Sequence, residues 1–261
     1  MRYFPLDEGH WAMSLGVRPL LGQSLVEPDA GQVALKNQLL DRDLGFHYQA
    51  LPGTEAMQAE VGPILGLSGG LLEVSRQVAE DLLLLREEPD WPLVAGVLCF
   101  PNDWCLADKL GLPLLEVHGP VPGFLEAVGA GTLKLLDKLK PERPVWRANW
   151  AVKVTDRLDL PPLVNAAFEP VKCEVTAGNA GERCYFRVER QTLSRLPLSG
   201  GILFTVRTYV APLAELDLRE RELLTRALRT MPAAMLSYKG IEPFAGPLLE
   251  YLARSVSCGV T

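Results

Sequence analysis

The residues best placed to do chemistry gather around one imidazole. His118 follows the apolar run Leu112 to Val117 and precedes Gly119-Pro120-Val121-Pro122-Gly123, where the prolines fix φ and the glycines permit close backbone approach. That is a rigid loop presenting a ring nitrogen. Imidazole suits iron and zinc alike, yet one imidazole is not by itself a metal site. Two readings therefore stand open for His118: a ligand to a bound group, or a hydrogen-bonded residue of ordinary structure. His10 and His47 lie in less ordered surroundings, and no HExxH spacing occurs, which argues against a multi-histidine centre.

The charged residues of the second half form the other candidate set. Arg190 continues the parity of Cys184, Phe186 and Val188, so along a strand its guanidinium points toward the apolar side. A buried arginine requires an anion, either a ligand carboxylate or a structural partner such as Glu80 or Asp81. Glu189 shares the opposite parity with Arg187 and Gln191. With Arg147 and Arg207 these make either a charged network on a solvated sheet face or a polar wall for a substrate.

The elements that must position these residues are mostly strands. Val145–Val154, the stretch around Cys184–Gln191 and Ile202–Arg207 each alternate apolar and polar positions, the pattern of an antiparallel sheet with one face packed on helices. Trp91 to Phe100 reads as a buried strand. Leu71, Val74, Val78, Leu82 and Leu85 recur at three- and four-residue steps and predict an amphipathic helix over 71–86. Thr54 to Leu65 reads as a helix kinked at Gly62-Pro63. Asn102 or Asp103 would cap a short helix ended by Gly111, and Phe124 to Leu139 returns to helical spacing. Lys140 to Pro144 is a connector, Asp217 with Glu220 opens a further helix, and a last one runs from about Phe244 to Ser255. Residues 1–28 carry aromatic, Gly and Pro positions without a period and read as irregular structure covering a core.

Composition narrows the function classes. The 261 residues, 48% of them hydrophobic, supply apolar surface for a sizeable core, and one domain over residues 1–261 is expected. A net charge of −6 gives no sign of a nucleic-acid or anionic-membrane partner. The opening segment lacks a basic stretch followed by an apolar one, and no apolar run reaches the ~18–20 residues of a membrane span, so a cytoplasmic protein is expected. Cysteines 99, 105, 173, 184 and 258 are odd in number without a CxxC pair and read as reduced thiols. Neither GxGxxG nor a Walker loop occurs, so a resident NAD or ATP site is not expected.

Longer blocks carry a resemblance. Cys99-Phe100-Pro101 with Trp104, Asp108-Lys109-Leu110-Gly111, Val117-His118-Gly119-Pro120-Val121-Pro122-Gly123, Arg147-Ala148-Asn149-Trp150, Val188 to Leu193 with Arg195-Leu196-Pro197, Phe204 to Tyr209, and Tyr238-Lys239-Gly240 stand in one order. So do Arg18-Pro19-Leu20 and Ala79 to Leu82. Together they resemble the haem subunit of heme-dependent oxidative N-demethylase and its relatives. Asn102 departs from the small hydroxyl residue expected after Pro101, and residues 161–182 match no part of the pattern.

The resemblance implies an α+β chain with a PAS-like antiparallel sheet and packed helices, binding haem b. His118 would be the iron ligand, Leu112, Leu114, Leu115, Val117 and Val121 the apolar slot, and Arg147, Arg190 or Arg207 the propionate partners. The resemblance includes Glu189 without assigning its role; if the charged network is a polar wall above the iron, Glu189 would bind an amine nitrogen or help deliver protons to oxygen. The implied reaction is oxygen-dependent N-demethylation of a small secondary amine, with electrons from a separate flavin and iron–sulfur reductase partner. The Lys109 and Arg143–Arg147 region is a candidate docking face for that partner. A haem-binding sensor, or a haem-free interaction protein on the same scaffold, is the alternative.

Overall fold

The computed structural model describes residues 1–257, so Cys258 lies outside the described residues. Seven strands, Arg18–Pro19 (β1), Tyr48–Ala50 (β2), Asp81–Leu85 (β3), Leu93–Val97 (β4), Val145–Lys153 (β5), Tyr185–Arg195 (β6) and Ile202–Pro212 (β7), form one sheet. Its order is β1-β5-β6-β7-β3-β4-β2, and every pairing is antiparallel. With its packed helices the sheet makes an α+β architecture. The three alternating stretches of sequence are β5, β6 and β7, the long strands of the sheet.

Helices cover both faces of the sheet, where the alternation predicted one. Trp150, Val152, Phe186 and Val188 pack with Leu224, Leu228, Leu248 and Leu252 of the helices Leu218–Thr230 and Ala245–Ser257. Leu82, Leu84, Ala95, Val97 and Leu203 share that face and pack with Leu39, Leu40, Met57 and Val61. Leu83, Leu85, Leu193 and Ile202 point the other way, toward Leu106, Leu114, Leu136 and Leu139. Because strand residues alternate sides, the registers of β5, β6 and β7 sort their side chains between the two faces. Arg147, Asn149, Arg187, Glu189, Gln191 and Lys153 share the second face, whereas Arg190 and Arg207 are directly paired on the first.

One expected element is overturned. The predicted helix over 71–86 is confined to Leu71–Ser75, and Asp81–Leu85 is a strand hydrogen-bonded between β4 and β7 with all five residues buried. A strand covered on both faces needs no polar alternation, so its leucines fell by coincidence into helical spacing. The helix Ala30–Arg42 carried no clear apolar stripe and is fixed at its start by Asp29, whose side chain accepts from the Gln32 N–H at 2.9 Å. The short helix expected after Asn102 is a single turn, Leu106–Asp108, and Asp103 instead adopts φ 69°. The cap at Asp217 forms as predicted, its side chain accepting from Glu220 N–H at 2.8 Å while Glu220 returns the bond to Asp217 N–H at 3.1 Å. Among the described residues no helix is long and apolar enough to cross a membrane.

Candidate functional site

The connection from β4 to β5 carries His118 and is anchored at its start by buried charge. Asp81, fully buried, accepts the Cys99 and Phe100 N–H groups at 2.7 and 2.9 Å. Arg187 then donates to the carbonyls of Phe100 at 2.7 Å, Pro101 at 3.2 Å and Leu158 at 3.0 Å. Burial pushes the Asp81 carboxyl up, while Lys36, itself fully buried and donating to the Glu80 carbonyl, pulls it down. The segment leading to the site is thereby clamped to the centre of the sheet.

His118 ends the helical turn Leu114–Val117. Its Nδ1 lies 2.9 Å from the Leu114 carbonyl oxygen, a contact that requires the proton on Nδ1 in the neutral ring and leaves the Nε2 lone pair free. Phe124 stacks on the ring at 4.3 Å with 13° between planes and fixes its orientation. Burial lowers the His118 pKa, with Arg147 and Lys109 adding to it against the Leu114 hydrogen bond, so the neutral form is favoured. Lys109 donates to the Val117 carbonyl at 2.9 Å. Its charge therefore caps the turn.

Beside the imidazole stands Arg147. Its guanidinium makes no hydrogen bond or ion pair among the described residues, and its Nε is buried without a partner. Burial lowers its pKa, opposed by the charge of Glu189. Glu189, on the neighbouring strand, is approached by Gln191 Nε2 at 3.2 Å, Asn149 Nδ2 at 3.4 Å and Arg187 Nε at 3.6 Å. Lys239 closes the arc at the open edge of β5, donating to the Trp150 carbonyl at 2.6 Å and lying 4.9 Å from the centroid of the Trp150 ring. Burial depresses its pKa to about 8. Tyr238, next to it, is pushed up by burial and by the negative charges of Glu189 and Asp103.

Arg190 and Arg207 are not brought to this arc. Arg190 donates to the carbonyls of Ser24 at 2.7 Å and Leu25 at 3.3 Å and lies over the Tyr3 ring, so neither Glu80 nor Asp81 is its partner. Arg207 holds Asp29 and Gln32, both at 2.6 Å. The cross-strand network therefore excludes Arg207, because Gln191, opposite Arg147, pairs with Val206 and puts Arg207 on the other face. The apolar residues near His118 also separate: Leu114 enters the core with Leu83 and Leu136, whereas Val121 packs against the Trp150 cluster. His47, expected in loose surroundings, is 3% exposed and bonded through Nδ1 to the Leu98 carbonyl at 2.8 Å.

Sequence reasoning placed Lys109 on a docking face and gave Phe124 no part in the site. The signal that could have found Phe124 is its place just after the Gly-Pro loop, where a turn folds it back on His118. The thiols take no part in the arc: burial pushes Cys184 up to about 12 and Cys99 higher still. No group of three or more His, Cys, Asp or Glu that could hold a metal ion exists among the described residues. A cavity of about 750 Å³ between the helix Ala30–Arg42 and the Thr155–Asp159 loop contains none of the arc, and its Arg157 and Asp159 already bond each other at 2.8 Å.

A neutral imidazole with a free nitrogen, next to a half-buried arginine whose Nε is buried and which forms no ion pair among the described residues, is a donor set that fits a haem, which needs one axial nitrogen and cations for its propionates. Independently, a family model described as haem-dependent oxidative N-demethylase, alpha subunit-like, matches residues 34–249. The chain belongs to that family, the haem-dependent oxidative N-demethylase alpha subunit-like proteins.

Proposed function

We propose that this chain is a cytoplasmic subunit that binds haem b through His118 and removes a methyl group from a small secondary amine, using oxygen and electrons supplied by a separate flavin and iron–sulfur partner. The observation that carries the proposal is the free Nε2 of a neutral, ring-stacked His118 beside the unpartnered Arg147. Haem bound there would supply oxygen activation. Arg147 is the cation for a propionate, a role that would end its isolation. A companion protein is in keeping with the family's description as an alpha subunit.

Glu189 is the group we assign to the amine. A secondary amine is a cation at neutral pH, and Glu189 is a carboxylate with Asn149, Gln191 and Arg187 around it. Its side chain is 12% exposed, so an ammonium reaching it is largely out of water and the attraction is strengthened. Asn149 and Gln191 orient the carboxylate. We read the domain as single and PAS-like; the spatial order of the five central strands, β4-β3-β7-β6-β5, supports this. The test is reconstitution with haem, followed by a Soret spectrum with and without candidate amines and by oxygen-dependent formaldehyde release with added reductant. A Soret band lacking in His118→Ala, with formaldehyde release that Glu189→Gln reduces, is the expected result. Haem-loaded protein that releases no formaldehyde from any small secondary amine would refute the catalytic reading.

A further inference from the structure

Beyond Glu189 the same sheet face ends in an amine that forms no ion pair among the described residues. Lys153 is 8% exposed and lines a cavity of about 230 Å³ with Asp103, Lys172, Tyr238 and Lys239. Lys172 is ion-paired with Glu169 at 2.6 Å, and Lys239 donates to the Trp150 carbonyl. Lys153 alone of the three lysines makes no hydrogen bond or ion pair among the described residues. A buried ammonium with no direct ion pair or hydrogen bond is costly. Burial, with Arg187 and Lys172, accordingly brings the pKa of Lys153 down to about 8, against the opposing charges of Asp103 and Glu189. An amine in this condition is partly unprotonated near neutral pH, and an unprotonated amine is a nucleophile toward carbonyl carbon.

We propose that Lys153 reversibly captures a small aldehyde in this cavity, first as a carbinolamine and then as a Schiff base. The assignment of formaldehyde as that aldehyde rests on the proposed demethylation, which releases it. The Nζ lone pair forms the C–N bond as the carbonyl π pair moves to oxygen, and a proton passes from nitrogen to that oxygen. Water then leaves with the oxygen and the C=N bond forms, giving a protonated imine. Hydrolysis returns aldehyde and amine, so no oxidant or reductant is consumed. Asp103 and Tyr238, both lining the cavity, are the groups available to carry the protons. Such a site would hold a reactive product away from the exposed lysines until it is passed on.

The test adds the aldehyde directly to the full chain without haem. Carbon-13 formaldehyde at one equivalent with cyanoborohydride at pH 7.5 converts each imine into a stable methylamine, and peptide mass mapping reads where the label sits. Lys153 is expected to label at least about tenfold faster than exposed Lys134, Lys138 or Lys140, because far more of it is unprotonated. Lys153→Arg, which keeps the cation, should lose that fast label and leave the surface labels unchanged. Equal labelling of Lys153 and the surface lysines, or a fast label on Lys239 instead, would overturn the proposal. Since the aldehyde is supplied from outside, failure here leaves the demethylation reading standing, and failure of demethylation leaves this result standing.

Discussion

Replacing Arg187 with methionine removes the clamp on which the site's approach segment depends. The aliphatic stem is conserved in volume, so packing is largely kept. What goes is a guanidinium, 1% exposed, that satisfies the carbonyls of Phe100, Leu158 and Pro101 and stands 3.6 Å from Glu189. Three hydrogen bonds from a charged donor at about 1.5 kcal/mol or more each give at least roughly 4–5 kcal/mol. Relief from burying the guanidinium, which lowers its own pKa, offsets part of this. The expected net loss is about 3–5 kcal/mol, the range for breaking a buried charged network, against a total stability of roughly 5–15 kcal/mol. Urea unfolding followed by circular dichroism should show the midpoint falling by about 1–2 M. Arg187→Lys keeps the charge but not the fork and should recover less than half of the loss. If Arg187→Met unfolds within about 1 kcal/mol of the wild type, the carbonyls have other partners and the clamp is not a clamp.

Four further outcomes are expected. His118→Ala should fail to retain stoichiometric haem in reconstitution, read from the Soret band, while His47→Gln, if it folds, keeps it. Arg147→Gln should accelerate haem transfer to apomyoglobin, whereas Arg190→Gln and Arg207→Gln should lower urea stability and leave the transfer rate unchanged. Lys153 has a folded pKa depressed to about 8 against ~10.4 when unfolded, so the unfolded state binds more protons between those values. Its penalty is complete below pH 8 and fades as pH rises toward 10.4. Lys153→Met should therefore stabilise more at pH 7 than at pH 10, by roughly 2–3 kcal/mol; a pH-independent difference in unfolding free energy would show that the amine is not buried as a charge. Asp217→Ala should cost about 1 kcal/mol by loss of its cap, checked by the urea midpoint.

The parts of the fold that were legible in sequence are those where one side of an element differs from the other. β5, β6 and β7 alternate because each carries a polar stretch on one face, and Asp217 with Glu220 announces a helix start by chemistry alone. β3 was not legible: buried from both sides, Asp-Leu-Leu-Leu-Leu has no alternation to read. The helix Ala30–Arg42 was hidden for another reason, since it buries Lys36 alongside Leu39 and Leu40. At the site, the glycine and proline loop marked His118 and strand parity sent Arg190 inward. Parity within a strand does not give parity between strands, however, and only the register of Gln191 against Val206 separates Arg207 from Arg147. The free amine of Lys153 was invisible because its isolation depends on where Lys172 and Lys239 find their partners.

The stretch ahead of residue 29 is held by groups that lie far along the chain. Arg190 grips the carbonyls of Ser24 and Leu25, Tyr209 donates to Glu27, and Thr230 accepts the Trp11 N–H at 2.8 Å. On a ribosome these anchors emerge some 160 to 220 residues after the stretch they hold, a delay of roughly 10–40 s at ordinary elongation rates. Throughout that interval Phe4, Trp11 and Met13, which end against the Trp150 cluster, have nowhere to dock. This stretch is made well before the groups that seat it and is thus among the last parts of the fold to be seated. The expected consequence is that slower elongation raises the soluble fraction without changing the finished protein.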